Sequence, residues 1–368
     1  MTGGTHDSRR VEPGFVFVAV PGFKRDGLEF VPAALENGAA LVVAERDVPG
    51  VSSLIVPDAR AALAALACAG FGDPSEEMEV YGVTGTNGKT TTSYALYAIL
   101  AAAYGEAAVG LMTTAEVVVG GERRAAAHTT PEAVEVQRSL AEMRDAGARR
   151  VVMEVSSHGI ALQRVSGTKF SGALFTNLTR DHLDLHGSME NYYTTKRELF
   201  YRSTGSKLAN AESDYSRRLA EEAENVKTFG GVQEADYLVS DVRATGRGTA
   251  FALETASGRL ALEMPLLGPY NVLNVAGAAA FALDIGVEEP VVREAVDGMP
   301  QVPGRFERVA AASERGFEVI VDYAHTDVGL EAVLEVARGV VAARGAGRVI
   351  CVFGAAGERD GAKRPLMG

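Results

Sequence analysis

Residues 82–92, GVTGTNGKTTT, limit what this chain can fold into more than any other stretch. An apolar run over residues 78–83 enters a glycine-rich turn, and a lysine, threonines and a helix-favouring segment follow at once. Such a strand, turn and helix build a phosphate cradle. Gly85 and Gly88 let the N–H groups of the loop, Thr86 and Asn87 among them, turn inward, and the helix adds the positive end of its dipole. Lys89 can reach β and γ phosphates, the hydroxyl of Thr90 can hold Mg2+, and Thr91 extends the cradle. The match to G-x-x-x-x-G-K-[ST] is imperfect, because Val83 stands at the first glycine position and Gly82 lies one residue early. A plain tight turn would not call for a lysine beside three threonines, so the stretch reads as a nucleoside triphosphate site.

Composition narrows the rest. At 368 residues the chain has room for two or three domains. Hydrophobic residues make up 47% and charged residues 23%, as in an ordinary globular protein. A net charge of −12 with no Lys/Arg run disfavours nucleic acid and anionic membranes as partners. No apolar stretch is long enough to insert into a membrane, and MTGGTHDSRRVEPG lacks a signal-peptide core, so a cytoplasmic location is expected. Cys68 and Cys351 both sit in apolar sequence and read as buried thiols.

Periodicity assigns an α/β fold in three parts. Residues 1–78 alternate short strands (15–20, 39–44, 53–56) with helices (28–37, 59–70), a small α/β domain that ends in the turn-rich linker GDPSEEM. Residues 79–302 form a doubly wound mononucleotide-binding domain around the P-loop, with buried parallel strands near 151–155 and 173–178. Period-two alternation over 237–264 adds an antiparallel meander, followed by a helix over 271–283. Residues 303–368 begin a new strand, helix and strand series.

Four further stretches give the P-loop chemical company. In VVMEVSSHG a buried strand ends in Glu154, a carboxylate able to hold Mg2+, with Ser156, Ser157 and His158 beyond it. TNLTRDHLDLHG packs Asp181, His182, Asp184 and His186 into six positions, as ligands or as structural caps. On the amphipathic helix 189–200, Lys196 shares a face with Tyr192, Tyr193 and Phe200, and blind reading favours a snorkelling lysine over a functional one. HTTPEAVEVQ reads as a loop entering a helix, with Thr129 or Thr130 at the cap and Pro131 at N1.

Taken together, GVTGTNGKTTT, HTTPEAVEVQ, EVSSHGIALQRV, FTNLTRDHLDLHGSMENYYTTKRELF, GPYNVLNVAGA, GRFERV and DYAHT, in this order, resemble the Mur ligase family. HDSRRVEPGFVFVAVPGFKRDG is similar to the nucleotide-sugar-binding opening of one type within it, and the resemblance runs from His6 to Gly368. That type adds the third residue, diaminopimelate or lysine, to UDP-N-acetylmuramoyl-L-alanyl-D-glutamate. The resemblance implies a monomeric, three-domain ATP-dependent amide ligase working through an acyl phosphate in peptidoglycan synthesis, with small-molecule substrates. It implies one Mg2+ on Thr90 and Glu154 and a second near His182 and a carbamylated Lys196. It also puts Ser8, Phe23, Lys24 and Arg25 at the uridine diphosphate, and Thr129, Thr130, Ser156 and Arg164 at the muramoyl peptide. Asn271, Arg305, Asp322 and His325 would face the adenine nucleotide. Arg164 could equally be a surface ion pair.

Some positions depart from the family pattern. The usual proline of DYAHTPD is Asp327, the glycine-rich turn carries Ala355 and Ala356, and a short opening segment is missing. The resemblance further implies an incomplete Rossmann-like third domain, with the amine-selecting motif beyond Gly368. On that basis these residues are expected to bind the UDP-sugar peptide without completing ligation, and to leave residues 319–321 and 349–353 short of packing partners. A folylpolyglutamate synthase-like or cyanophycin synthetase-like ligase is the alternative, opposed by the DSR opening and the HTTP motif. A catalytically silent nucleotide-binding module is another, opposed by intact Glu154, His182 and Lys196.

Overall fold

Three β-sheets follow one another along the chain in the computed structural model, which describes residues 3–22, 24–126, 128–313, 315–354 and 364–368. The first has four strands in sequence order, β1 (Gly3–Thr5), β2 (Phe15–Val18), β3 (Leu41–Ala44) and β4 (Ser53–Ile55), all paired in parallel. Helix α1 (Val31–Glu36) lies in the crossover from β2 to β3, and α2 (Ala59–Gly70) follows β4 and packs on the sheet. Period two sends Phe17 to one face against Val31 and Ala34, while Val16 and Val18 face Leu63 and Ala67 of α2. The connector over residues 72–78 is packed rather than free, because Ser75 is buried and its hydroxyl accepts the Lys169 N–H at 3.0 Å.

The central sheet is built on β5 (Glu79–Thr84), which leads through the glycine turn into α3 (Lys89–Tyr104). There follow β6 (Val109–Met112), β7 (Glu116–Val119), β8 (Glu122–Ala125), α4 (Ala133–Asp145), β9 (Arg150–Glu154), α5 (Ser157–Ala161) and β10 (Phe170–Phe175). The chain continues through α6 (Leu183–His186), α7 (Met189–Arg202), β11 (Ser203–Asn210), α8 (Asp214–Glu222) and β12 (Val226–Gly230). It closes with β13 (Tyr237–Ala244), β14 (Thr249–Thr255), β15 (Gly258–Met264), α9 (Pro269–Asp284) and α10 (Glu289–Asp297). Strand order is β15-β14-β13-β12-β11-β10-β5-β9-β6-β7-β8. The middle, from β6 to β13, is parallel, and antiparallel pairs flank it at both ends. The meander over 237–264 is as expected, whereas the β6–β8 ribbon on the other edge is an addition to the reading above.

Helices cover both faces of the parallel part, which is why β5 is apolar on both sides. Tyr81 and Val83 point toward α3 and α9, and Val80 points toward the cluster containing Tyr192, Leu199 and Phe200 of α7. Because β9 and β10 lie on opposite sides of β5, the order reverses there and opens a crevice at the carboxyl ends of these strands.

Beyond α10 come β16 (Glu307–Arg308), α11 (Ala310–Ser313) and β17 (Ile320–Val321), then α12 (Asp327–Ala343) and α13 (Arg364–Met367). The strand expected near residues 349–353 is not formed: with no neighbouring strand to pair its backbone among the described residues, Val352 is 95% exposed. Cys351 is exposed for the same reason, contrary to the buried thiol expected, while Cys68 is buried as expected. Ala355 and Ala356 lie outside the described residues.

The turn after β5 has little room for a side chain. Gly85 has φ +149°, and a Cβ there would stand 1.9 Å from Thr176 Oγ1 at the end of β10. Gly85→Ala should therefore cost about 1–3 kcal/mol by forced displacement, read as a lower urea midpoint. An unchanged midpoint would contradict this packing.

Candidate active site

Side chains from four segments meet at the crevice. Lys89 folds back over its own loop, its Nζ donating to Gly85 O at 3.0 Å and Thr86 O at 2.8 Å. Desolvation lowers its pKa, and the Glu154 carboxylate partly opposes that. The loop is braced from β10: Asn177 Oδ1 accepts the Asn87 N–H at 3.0 Å, Thr176 Oγ1 donates to Asn87 O at 2.6 Å, and Thr179 N–H donates to Thr86 Oγ1 at 3.0 Å. Thr90 and Thr91 are buried in the first turn of α3.

Lys196 on α7 is only 1% exposed, and its Nζ donates to the same Gly85 O at 2.8 Å. That placement replaces the snorkelling reading, since the amine does not reach water. Burial holds its pKa well below the ordinary lysine value, and the Lys89 charge pushes the same way. The ring of Tyr192 lies 4.8 Å from Nζ, and the Tyr192 hydroxyl contacts Thr86 Oγ1 at 3.2 Å. An amine pushed toward its neutral form in this manner can act as a nucleophile.

Glu154 is fully buried at the end of β9. Its Oε1 accepts the Thr114 N–H at 3.0 Å and its Oε2 accepts the Thr114 hydroxyl at 3.1 Å, and no ion pair reaches it among the described residues. A buried carboxylate held only by neutral donors is suited to a divalent cation, and Thr90 adds a second hard oxygen. Among the described residues no three His, Cys, Asp or Glu side chains converge, so a metal here would need further oxygen donors, such as phosphate or a carbamate.

His182 precedes α6 in the left-handed region, φ 53°, where its N–H donates to Asp181 Oδ1 at 2.9 Å. Its Nε2 is 3.3 Å from Asp181 Oδ2, and its ring packs edge-on against His158 with centroids 4.7 Å apart. Burial pushes His182 down to about 4, partly opposed by Asp181, so the ring is neutral near pH 7. His186 stacks on Tyr192 and is likewise pushed down to about 4 by burial.

The third segment reaches the same crevice. Arg305 Nη2 donates to Thr90 Oγ1 at 2.9 Å while its guanidinium lies over Tyr323, 4.7 Å from the ring centre. Asp322 fixes this strand pair by accepting the Phe306 and Ala324 N–H groups, both at 2.7 Å. His325 Nε2 stands 3.8 Å from Asp181 Oδ2. Asn271 on α9 is buried and donates to Leu267 O at 2.7 Å. Sequence reasoning missed Asn274, whose Oδ1 lies so near the loop that a Cβ on Gly88 would meet it at 2.1 Å. An asparagine pair three residues apart on an alanine-rich helix was the available signal.

On the peptide side, the capping reading of residues 129–131 is corrected. Helix α4 begins at Ala133 with Glu132 at its N-cap. Thr130 instead donates to Glu154 O at 3.1 Å and accepts the Ser156 N–H at 3.0 Å, and Thr129 contacts Thr114 at 3.0 Å. These long-range partners outbid the local cap. Ser156 caps α5 by accepting the Gly159 N–H at 3.0 Å. Arg164 is no loose surface pair: it donates to Thr130 O at 3.0 Å and binds Glu132 at 2.5 Å. Ser8, Lys24 and Arg25 stand on loops of the first sheet. Ser8 is buried at the start of a 3-10 turn, Lys24 is exposed and Arg25 pairs with Glu29 at 2.8 Å. No hydrogen bond or ion pair among the described residues joins them to the crevice; Phe23 lies outside those residues.

No helix among the described residues is long and apolar enough to cross a membrane. Residues 1–70 match the Mur ligase family catalytic domain, 83–282 the Mur ligase middle domain, and 304–368 the Mur ligase glutamate ligase domain. The chain is 42% identical to the UDP-N-acetylmuramoyl-L-alanyl-D-glutamate–2,6-diaminopimelate ligase of Gloeobacter violaceus, covering 100% of this chain and 75% of that protein. It is 41% identical to the protein of that name from Syntrophomonas wolfei, with the same coverage. A solved structure of a ligase of that name superposes with a TM-score of 0.78 at 28% identity, covering 100% of this chain and 75% of the other. The doubly wound central domain, its P-loop and these matches lead to one conclusion: the chain belongs to the Mur ligase family.

Proposed function

We propose that this protein is the ATP-dependent ligase that joins 2,6-diaminopimelate to UDP-N-acetylmuramoyl-L-alanyl-D-glutamate. The observation that carries this reading is the meeting of a P-loop lysine, a buried unpaired carboxylate and a buried lysine at one crevice. The relatives' diaminopimelate specificity favours that amine over lysine. It also favours this substrate over a folate or polyaspartate acceptor.

A carboxylate is a poor electrophile, so the D-glutamyl γ-carboxylate first attacks the γ-phosphorus of ATP, forming an acyl phosphate and releasing ADP. The diaminopimelate amine then adds to the acyl carbon; collapse of the tetrahedral adduct forms the amide and expels phosphate, and the amine proton is lost. Lys89 exchanges its loop carbonyls for the β and γ phosphates at the N-terminus of α3. Arg305 and Asn271 face the nucleotide side, with Asp322 and His325 behind Arg305. Thr90, Glu154, His182 and Lys196 would hold Mg2+, which supplies charge neutralisation between phosphate and acyl oxygens. The neutral Lys196 amine adds to CO2 and loses a proton, becoming a carbamate, an oxygen ligand in place of a cation. Thr129, Thr130, Ser156 and Arg164 line the approach of the peptide, and Ser8, Lys24 and Arg25 that of the uridine diphosphate. In this arrangement residues 1–78 carry the sugar nucleotide and 79–302 the ATP, and 303–368 close over the nucleotide side through Arg305.

Two measurements test this. The intact protein supplied with ATP, Mg2+, UDP-muramoyl dipeptide and diaminopimelate should release one phosphate per tripeptide formed, and far less with lysine. No product with either amine would end the proposal. Lys196→Ala should lose at least about a hundredfold in kcat, the order lost with one electrostatic group at a reacting centre, and regain part of it with formate or acetate. In 13C-bicarbonate, wild type should show a carbamate resonance that the variant lacks. Full activity in the variant would remove Lys196 from the mechanism.

A further inference from the structure

The turn between β6 and β7 enters the site from a direction that no motif in the sequence marks. Thr113 closes this turn: its hydroxyl donates to Glu116 O at 2.9 Å and accepts the N–H groups of Ala115 and Glu116 at 3.3 and 3.1 Å. Thr113 is itself buried, so the turn is fixed from below. The next residue, Thr114, is thereby aimed at β9, where its N–H and hydroxyl take one oxygen each of the Glu154 carboxylate. A carboxylate gripped at both oxygens by one residue has its plane set by that residue.

The hydrogen count on Thr114 extends the argument. Its hydroxyl carries one hydrogen and lies within reach of two acceptors, Glu154 Oε2 at 3.1 Å and Thr129 Oγ1 at 3.0 Å. A carboxylate can only accept, whereas a threonine hydroxyl can donate or accept. The one hydrogen of Thr114 is therefore shared between the Glu154 carboxylate and Thr129 Oγ1, and Thr129 accepts in this pair. Donation runs outward from Thr114, to Glu154 on one side and to Thr129 on the other. The hydrogen of Thr129 is left to donate to a ligand oxygen. Thr130, next in sequence, holds the main chain at Glu154 O, so the loop grips both the backbone and the side chain of this residue.

We propose that Thr114 is a positioning residue for ligation: it orients Glu154 toward the metal and links it through Thr129 to the sugar-peptide, coupling metal and acyl-substrate binding. This rests on the ligase reading above. A peptide oxygen that takes the hydrogen of Thr129 fixes that hydroxyl, and with it the Thr114 hydroxyl that bridges to the carboxylate, so bound peptide preorganises Glu154. Cation affinity rises in step, and by linkage the cation tightens the sugar-peptide by the same factor.

Mn2+ binding to the intact protein, followed by electron paramagnetic resonance with a non-hydrolysable ATP analogue, tests this apart from turnover. In wild type, saturating UDP-muramoyl dipeptide should tighten Mn2+ by at least about fivefold. Thr114→Val keeps the shape and the main-chain N–H but loses the hydroxyl. It should weaken Mn2+ about tenfold, the lower end for loss of a group that holds a metal ligand, and bring the coupling factor close to one. Thr114→Ser should restore both, which a purely structural role for the methyl group would not produce. If circular dichroism shows Thr114→Val misfolded, Thr114→Ala carries the same expectation. Mn2+ affinity and coupling within about twofold of wild type in the hydroxyl-free variant, with wild-type ligation intact, would overturn the role of Thr114 alone. A wild-type protein that binds Mn2+ and nucleotide but forms no amide would overturn the ligase reading and this inference with it.

Discussion

One carbonyl oxygen, that of Gly85, receives two lysine side chains, Lys89 from the helix that follows it and Lys196 from α7. Holding two amines at one acceptor in a site largely closed to water is costly, because effective desolvation runs to several kcal/mol per ion. The surrounding structure offsets that cost. Asp181 and Glu154 supply opposite charge nearby, and burial drives Lys196 toward its neutral form. The three strand ends that carry these groups must stay in register, and the parallel pairing of β9, β5 and β10 ensures it. A triphosphate entering the cradle replaces carbonyl dipoles with formal negative charge, so the lysine that closes the empty loop is also the group that the ligand recruits.

The closing segment is tied to the same point. Arg305 bonds Thr90, one residue beyond Lys89, and His325 approaches Asp181, which also holds His182. Arg305 and His325 from the third segment thus stand against the hydroxyl and the carboxylate that border the cradle. Charge on a transferred phosphoryl group would fall between them, where preorganised donors in low dielectric are most effective.

Much of this was legible in the sequence, for reasons that can be traced. The strand, turn and helix of the P-loop were legible because its turn, lysine and hydroxyls are contiguous, and the parallel strands because burial on both faces leaves uninterrupted apolar runs; the Thr86 and Asn87 N–H groups, expected to turn into the cradle, go instead to Asn177 beyond β10. Thr130 was misread as a cap because its real partners, Glu154 and Ser156, are 24 and 26 residues away. A local rule had only Pro131 and the following helix to work with. Thr114 and Asn274 escaped because a single threonine in a turn, or an asparagine in an alanine-rich helix, has meaning only once β9 or the loop lies against it. The β7–β8 hairpin did leave a mark, Gly120-Gly121 with φ of 57° and 87°, the pattern of a two-residue hairpin turn. Lys196 shows the limit of pattern reading: spacing put it on an apolar face, and only the fold decided whether its amine reached solvent or Gly85.

The central claim is that these groups activate a carboxylate as an acyl phosphate. The direct measurement is isotope transfer. With 18O in the D-glutamyl γ-carboxylate of the UDP-muramoyl dipeptide, the account predicts that each phosphate released during ligation carries one 18O atom taken from that carboxylate. Amide product accompanied by unlabelled phosphate would contradict it.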